Sequence, residues 1–291
     1  MKPPAAALGD AWCAAGRVLL LATLLGSPLH AQEETPASEG AAPPAAESPS
    51  PSTQTSPASP SPQQRLEISD DPTYLKTSLR GIVEDVQYVG DVSLERLRIR
   101  YLQTLGKRDA ILADIPFGRV DPGAGFSSSY GSGDLSLQYL HLFPSKSRRV
   151  LQAGGAIFVL KTASDDQLSS HTALYGVVYA AAWAVSRRIQ PYIVLQYIHS
   201  FREDTGVPTE SLVQLRGVTA FGLSKGWFMT GETRLQEDLD PEQRFGATLT
   251  ASLGRQMGHW RTVGGYERAL GETSAEVIYQ SRIYLEFGYT F

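Results

Sequence analysis

The chain has 291 residues, a formal net charge of −4 and 19% charged side chains. A balance so near neutral, without a basic cluster, excludes the usual electrostatic footprint of a nucleic-acid-binding protein. The only cysteine is Cys13, and it lies in a segment that we expect to be removed. The mature chain is therefore expected to have no disulfide, no thiolate metal site and no cysteine nucleophile.

Residues 1–31 have the pattern of a secretory signal peptide. Lys2 and Arg17 supply positive charge, residues 18–25 form a short apolar core, and residues 27–31 (Ser-Pro-Leu-His-Ala) suit cleavage. The apolar run is too short for a transmembrane helix, which needs roughly 18–20 apolar residues. The pattern predicts export from the cytoplasm.

Residues 32–76 are predicted to form a disordered linker rich in proline, alanine and serine. Residues 32–64 include no aromatic and no branched aliphatic side chain. Such a segment cannot bury enough apolar surface to offset the entropy lost on ordering. Two roles are open for it, a spacer or ligand at the peptidoglycan layer and an unselective tether.

Residues 77–291 are predicted to be all-β, a transmembrane antiparallel up-and-down β-barrel of about twelve strands. Short runs of alternating polar and apolar residues, separated by turn residues, continue without a convincing helical stretch. The predicted strands are residues 78–89, 91–105, 110–117, 133–143, 149–161, 172–185, 190–201, 210–223, 227–236, 244–254, 260–270 and 275–291. An even number suits a bacterial single-chain barrel with both ends on one side.

The connections between these runs alternate in length. The even-numbered ones, near residues 106, 144, 186, 224 and 255, are short, and most odd-numbered ones are longer. The first and last odd-numbered connections, around Gly90 and Gly271, are expected to be tight. Because outer-membrane barrels have short periplasmic turns, both termini are expected in the periplasm. Trp183, Trp227 and Trp260 fall close to those turns, as an interfacial aromatic girdle requires.

The final predicted strand, residues 275–291, supplies the argument for a membrane. One of its faces is almost wholly apolar from Val277 to Phe291, and it is longer than the usual strand of five or six residues in globular proteins. A soluble sandwich or lipocalin-like barrel would have shorter strands, whereas this length crosses a bilayer at a tilt. We therefore expect a location in the cell outer membrane, contact with its lipids, and recognition of the aromatic terminal strand by the barrel-assembly machinery.

Residues 131–139, Gly-Ser-Gly-Asp-Leu-Ser-Leu-Gln-Tyr, resemble a family of outer-membrane transporters labelled for the meta-pathway of phenol degradation. Members commonly share a Gly-x-Gly-Asp-Leu start of an early strand, a strand ending in an extracellular loop, here residues 158–165, and an aromatic-rich last strand, here residues 284–291. Residues 161–163 are Lys-Thr-Ala where the family often has Pro-Thr-Gly. The resemblance covers residues 131–291 and implies a β-barrel that transports a small hydrophobic or aromatic compound.

The same alternation predicts which side chains line the lumen. If the apolar residues of the second strand face lipid, its three arginines face inward, because a charge on the lipid face costs about 2–4 kcal/mol near the midplane. Two roles are open for them, an anion-attracting lining and a charge-satisfied plug that stiffens the barrel. The predicted lumen residues are Arg96, Arg98, Arg100, Asp114, Gln138, Glu232, Arg234, Gln280, Arg282, Tyr284 and Glu286.

A barrel hydrolase of the lipase or lipid A deacylase type is the alternative function. An enzyme that resembles outer-membrane phospholipase needs a His and a Ser two apart on one strand face. His199 and Ser200 are adjacent and point to opposite faces. His141, His171 and His259 are not followed by a serine at that spacing, and the histidines have no metal-ligand spacing. We therefore expect no enzyme, no metal and no cofactor.

A channel or transporter for a small, aromatic or hydrophobic compound is the main functional hypothesis, and a non-conducting structural barrel is the third. The sequence names neither the transported compound nor the oligomeric state.

Overall fold

The computed structural model of this protein describes residues 73, 75–123, 127–145, 150–183, 185–186, 188–202, 210–239 and 244–291. Of Arg202, Ala275 and Glu276 it describes only the backbone. The predicted signal peptide and nearly all of the predicted linker lie outside the described residues. Within the described ranges, no helix is both long and apolar enough to cross a membrane.

One antiparallel sheet of thirteen strands makes up the described part of the chain. In chain order the strands are β1 (Ser78–Gln87), β2 (Ser93–Leu105), β3 (Asp109–Asp121), β4 (Ser129–Ser132), β5 (Leu135–Phe143), β6 (Val150–Leu160), β7 (Ala173–Trp183), β8 (Ile189–Arg202), β9 (Ser211–Gly222), β10 (Trp227–Asp238), β11 (Phe245–Met257), β12 (Trp260–Ala269) and β13 (Ser281–Thr290). A 3₁₀ turn, Asp166–Leu168, lies between β6 and β7, and a helix α1 (Glu272–Val277) lies between β12 and β13.

The sheet closes on itself, because β1 pairs with β2 on one side and with β13 on the other. The short strand β4 pairs with the far end of β3, while β5 pairs with the near end of the same strand. Strands β4 and β5 therefore form one strand that is interrupted at Gly133 and Asp134. The barrel has twelve strand positions around its circumference, which confirms the predicted fold and strand number.

The outer surface of the barrel is apolar. Leu97, Ile99 and Tyr101 of β2 are 41%, 39% and 40% exposed, and Leu285 and Phe287 of β13 are 44% and 50% exposed. So much exposed apolar surface is stable only against hydrocarbon, where a β-sheet must be closed so that every backbone N–H and C=O is paired. The fold places this chain in the outer membrane.

Aromatic side chains gather where the barrel meets the membrane interface. Trp260 and Tyr289 pack with ring centroids 4.8 Å apart, and Tyr289 and Phe291 with centroids 5.1 Å apart. Trp183 and Trp227 end or begin strands at the same end of the barrel. This arrangement is the aromatic girdle expected of an outer-membrane barrel.

The connections alternate between the two ends of the barrel. At one end, where β1 begins and β13 ends, the strands are joined through residues 106–108, 144–149, 184–188, 223–226 and 258–259. We call this the periplasmic end because short turns mark that side. The opposite, outer end has longer connections, except for the tight turn at residues 88–92.

The last outer connection was predicted to be tight, and the final strand was predicted to begin at residue 275; both predictions are wrong. Residues 270–280 form a longer connection that contains α1, and β13 starts at Ser281. The Ser274 hydroxyl donates to the Leu270 carbonyl at 2.9 Å and accepts from the Ala247 N–H at 3.0 Å, which fixes a helical turn. Apolar residues that pack inward within a loop can mimic the alternation of a strand.

Gly155 of β6 gives a test of how tightly neighbouring strands approach. A Cβ atom there would lie 1.8 Å from the carbonyl oxygen of Tyr139, whereas one at Gly231 of β10 would meet nothing within 4 Å. Because overpacking typically costs about 1–3 kcal/mol, we expect Gly155→Ala to lower the free energy of unfolding by that amount. Urea titration of the refolded barrel measures this loss. The folded fraction at each urea concentration is read from gel electrophoresis, in which the folded and the heat-denatured barrel migrate differently. Gly231→Ala is the matched control, and equal stability of the two variants would contradict the predicted clash.

Candidate functional site: the lumen

Glu84 lies at the centre of a charged belt inside the barrel. Its side chain is completely buried, and its Oε1 accepts a hydrogen bond from Arg96 Nε at 2.5 Å. Arg282 Nε on β13 lies 3.3 Å from Oε2, and Arg98 Nη1 lies 3.9 Å from Oε1. One carboxylate thus faces guanidinium groups from both neighbouring strands. This explains how the three arginines of β2 can share one face.

We call Arg96, Arg98 and Arg100 of β2 the arginine ladder. Asp114 compensates the charges of Arg98 and Arg100. It lies directly across from Arg100 in the register of β2 and β3. Its Oδ2 accepts from Arg100 Nη2 at 2.9 Å and Nε at 3.1 Å, and Arg98 donates to both carboxylate oxygens. Charge-assisted bonds of this kind are the strong ones, so the ladder is held between two acids.

On the opposite side of the barrel, the charges continue across β9, β10 and β12. Arg216 donates to both oxygens of Glu232, at 2.8 Å each. Arg234 Nη2 lies 3.4 Å from Glu267 Oε1, and Arg282 Nη1 lies 3.8 Å from Glu267 Oε2. Because Arg282 also contacts Glu84, the two groups form one continuous network across the barrel closure.

Two cavities of about 220 and 260 Å³ lie within this belt and share Arg98, Arg100 and Arg216 in their walls. Together their walls include seven arginines and four carboxylates, and therefore an excess of positive charge. The arginines are Arg80, Arg96, Arg98, Arg100, Arg216, Arg234 and Arg282, and the carboxylates are Asp114, Glu232, Glu267 and Glu286.

The rest of the lumen has an apolar wall, which runs from β2 and β3 across β5 to β9. Its buried members are Leu102, Ala110, Leu140, Ile157, Val178, Ala180, Ala182, Tyr192, Val194, Val218 and Ala220. Leu75, from the segment that precedes β1, packs against this wall from inside the barrel. The lumen therefore has one charged side and one apolar side.

An apolar cap covers part of the outer end of the lumen. It consists of Val86, Leu94 and Tyr279, with Tyr88, Val120, Leu168 and Ile278 packed against them. Tyr279, just after α1, accepts a hydrogen bond from Arg234 Nη1 at 3.2 Å, and its ring meets that of Tyr88 edge-on at 6.3 Å. Burial raises the pKa of Tyr279 to about 12, although nearby arginines act in the opposite direction. Its hydroxyl is therefore neutral at physiological pH.

Asp134 anchors the loop between β6 and β7 at the outer end. Its Oδ1 accepts from the Thr162 and Ala163 N–H groups at 2.8 Å each, and its Oδ2 accepts from the Ser170 N–H at 2.6 Å. Burial alone would raise the pKa of this carboxyl, but hydrogen bonds from Ser170, Ala163 and Thr162 lower it below its ordinary value. The carboxylate thus accepts hydrogen bonds from three backbone N–H groups of the loop and attaches the loop to the barrel.

The two glycines before Asp134 leave room for the same loop. A Cβ at Gly131 would lie 2.1 Å from the Ser164 hydroxyl oxygen of that loop. One at Gly133 would lie 3.2 Å from the Leu168 carbonyl oxygen of the loop and 2.9 Å from Cγ of Pro116 on β3. The Gly-Ser-Gly-Asp stretch that carries the sequence resemblance therefore has a structural reason: it lets the loop approach and then binds it.

The structure brings together ten of the eleven predicted lumen residues on the walls of the two cavities. The remaining one, Gln280, is exposed at the outer end, where its N–H donates to the Gln87 carbonyl. Sequence reasoning missed Glu84, Arg216 and Glu267, although each lies at an inward position of its alternating strand. The ten predicted residues on the cavity walls are Arg96, Arg98, Arg100, Asp114, Gln138, Glu232, Arg234, Arg282, Tyr284 and Glu286.

His199 bears on the hydrolase alternative. As expected from their adjacency, Ser200 is buried toward the inside while the His199 ring packs against outward rings. Across the β8–β9 pair, however, the Ser211 hydroxyl oxygen lies 2.5 Å from His199 Nδ1, a contact that the sequence did not predict. The ring stacks with Tyr197 and meets Tyr175 edge-on, and in the described part of the chain no carboxylate orients it as a catalytic base requires. The pair joins two neighbouring strands beside aromatic side chains.

Comparison with solved structures agrees with this architecture. An outer-membrane channel from Pseudomonas putida F1 superposes with a TM-score of 0.61 at 10% identity, covering 78% of this chain and 100% of that one. This chain is a twelve-strand outer-membrane β-barrel. The KdgM porin is also similar, with a TM-score of 0.50 at 11% identity over 74% of this chain and 99% of the porin. Its complex with disordered oligogalacturonate has a TM-score of 0.51 at 11% identity, with the same coverage.

No family model matches the chain, and no curated protein matches its sequence. Likeness at such low identity shows the fold alone. The resemblance to the transporters of the meta-pathway of phenol degradation therefore stays a prediction.

The buried position of Glu84 predicts a large cost for removing its charge. Glu84→Gln leaves the Arg96 and Arg282 guanidinium groups without their common counter-ion, and breaking a buried pair in this way costs about 3–5 kcal/mol. Urea unfolding of the refolded barrel measures the loss. The double variant Glu84→Gln/Arg96→Gln should regain part of it, and Glu95→Gln, at an exposed position, is the control. A stability loss no larger than that of the control would contradict the role assigned to Glu84.

The lowered pKa of Asp134 predicts how its loop responds to acid. A carboxyl whose folded pKa is depressed stabilises the structure fully above its unfolded value of about 3.9, and the stabilisation is lost as pH falls through the lower, folded pKa. Residues 162–170 should therefore stay protected from amide hydrogen exchange at pH 5 and lose protection only below about pH 4. Asp134→Asn should lose it at neutral pH, whereas Asp165→Asn, whose carboxylate bonds only within the loop at the Gln167 N–H, should keep the attachment. Full protection in Asp134→Asn would show that the carboxylate does not hold the loop.

Proposed function

We propose that this barrel is a channel through which small solutes cross the outer membrane, and that it admits small aromatic or hydrophobic compounds. The observation that carries the proposal is the apolar wall inside the lumen. A barrel that passed only water and ions would need no buried apolar surface facing its cavities, whereas Ile157, Val178 and Val194 line the same cavity as Arg98 and Arg100. The solved structures of similar fold belong to channels and porins, which supports a role in solute passage.

The charged belt supports an anion-attracting lining over a purely structural plug. In a purely structural plug, the numbers of acidic and basic side chains would be equal. Ion pairs do stiffen much of this belt, as at Glu84 and at Glu232. The cavity walls, however, have seven arginines, against five carboxylates when the buried Glu84 is counted with them. Rings of like charge in a pore select ions of the opposite sign. The excess of guanidinium groups is therefore expected to draw anions into the lumen.

The experiment for this proposal is flux into liposomes that contain the refolded protein. Swelling with solutes of graded size separates a channel from a structural barrel, because a structural barrel gives the rate of protein-free liposomes for every solute. A second comparison uses neutral solutes of one size with and without an aromatic ring, such as a benzyl glycoside and a disaccharide. The sugar keeps the aromatic solute from crossing the lipid unaided, so faster swelling with it would show that the apolar wall favours aromatic compounds.

Anion selectivity tests the role of the arginine ladder. Arg96→Ala with Arg98→Ala removes two positive charges from the lumen, so the reversal potential in a planar bilayer under a salt gradient should shift toward cation preference by several-fold in permeability ratio. Lys107→Ala, at an exposed position in a periplasmic turn, is the control for a distant positive charge. Unchanged selectivity in the double variant would reject the anion-attracting lining.

A further inference from the structure

Arg255 lies near the periplasmic end of β11, on the side of that strand that faces lipid. Leu253 and Met257, which lie two residues before and after it, are exposed large hydrophobic side chains. Directly opposite Arg255 are Trp227 of β10 and Thr262 of β12, and Trp227 is exposed as well. Because alternate residues of a strand share one face, these side chains lie together on the outer wall of the barrel.

The guanidinium group of Arg255 has no counter-ion within the described part of the chain. Its cross-strand neighbours, Trp227 and Thr262, are uncharged, and none of the described carboxylates forms an ion pair with it. Its Nε atom is buried without a hydrogen-bond partner, and its Cζ atom lies 5.4 Å from the centre of the Trp227 ring. An arginine of the belt, such as Arg98, is instead paired with a carboxylate, Asp114. The charge of Arg255 is therefore left for a partner outside the chain.

This part of the outer wall lies at the membrane interface. Trp227 begins β10 and Trp260 begins β12, both at the periplasmic end, where the aromatic girdle marks the interface. A lipid-facing arginine is far less costly there than at the bilayer midplane. The negatively charged groups at that depth are the phosphates of the lipid headgroups, so the guanidinium group lies within reach of them.

We infer that Arg255, Trp227 and Thr262 form a binding site for the headgroup of an anionic phospholipid in the periplasmic leaflet. A guanidinium group binds phosphate oxygens through strong, bidentate hydrogen bonds. The Trp227 ring supports the guanidinium group from one side, and the Thr262 hydroxyl, beside it in the register, is a further donor. A headgroup with a net negative charge suits the site better than a zwitterionic one, because the described side chains around Arg255 include no carboxylate that would bind an ammonium group.

The alternative is an arginine that only extends its charged end into interfacial water while its stem covers apolar surface. Such an arginine would show no preference between lipids that have the same acyl chains. The inference does not depend on the proposed channel function, since the site is on the outer wall and not in the lumen.

Lipid titration of the refolded full chain in detergent distinguishes the two. The probes are dioctanoyl phosphatidylglycerol, dioctanoyl phosphatidylcholine and glycerol phosphate, and native mass spectrometry counts the molecules bound to each barrel. Phosphatidylglycerol should bind several-fold more tightly than phosphatidylcholine, and glycerol phosphate, which has no acyl chain, should bind most weakly. Equal binding of the two lipids would overturn the anionic site. Equal binding of phosphatidylglycerol and glycerol phosphate would overturn the assignment to a lipid.

Variants at Arg255 locate the site. Arg255→Gln should lower the binding of phosphatidylglycerol to the level of phosphatidylcholine. Lys107→Gln removes the same charge from an exposed periplasmic turn, and as the matched control it should leave the preference unchanged. Arg255→Lys keeps the charge without the bidentate geometry, so it should retain only part of the preference. Equal losses in Arg255→Gln and Lys107→Gln would show that net charge alone attracts the lipid, which would overturn the site.

Two further variants test the neighbours of Arg255. Thr262→Val keeps the shape of the side chain without the hydroxyl, and Trp227→Leu removes the ring. Both should weaken the binding of phosphatidylglycerol, each by less than Arg255→Gln does, and wild-type binding in both would remove these residues from the site. The different migration of folded and heat-denatured barrel on a gel shows whether each variant folds. If Arg255→Gln does not fold, Arg255→Lys and the comparison of the lipids on the unaltered protein still decide the matter.

Discussion

The pairing of β1 with β13 is the contact on which the rest of the barrel depends. It runs without a break from Ser78 opposite Thr290 to Gln87 opposite Ser281. A sheet that crosses hydrocarbon cannot leave an edge, because unpaired N–H and C=O groups there cost several kcal/mol each. Closure therefore stabilises every other strand. It also brings Arg282 of the last strand to Glu84 of the first, so the same contact joins the two halves of the charged belt.

The lumen combines two requirements that oppose each other. Guanidinium groups removed from bulk water need counter-charges, and Glu84, Asp114, Glu232 and Glu267 supply most of them. Complete neutralisation would leave nothing to attract a solute. The more numerous arginines at the cavities, and the apolar wall across from them, are the two features on which the proposed function rests.

The outer connections carry several side chains of the apolar cap at the outer end of the lumen. Asp134 holds the loop after β6, and Leu168 from that loop joins the apolar cap. Tyr279, carried by the connection that contains α1, completes the cap and bonds to Arg234 of the belt. These side chains cover part of the outer end of the lumen. The contact between the Tyr279 hydroxyl and the Arg234 guanidinium thus links the cap to the belt.

The sequence by itself determined the fold class, the number of strands and, for strands whose inward residues are charged, such as β2, the side that faces lipid. Strand alternation has a period of two, and hydrocarbon tolerates neither open edges nor charges, so a local pattern is enough to place Leu97 outside and Arg98 inside. Only the tertiary structure decided which charges meet. Glu84 and Arg282 are far apart in the chain, and register sets their contact. The apolar lumen wall was hidden as well, because an inward valine on β7 or β8 has the same pattern as a lipid-facing one. Residues 275–280 alternate like a strand, yet they fold inward, since the contacts of Ser274 and Tyr279 with other strands outweigh a local preference.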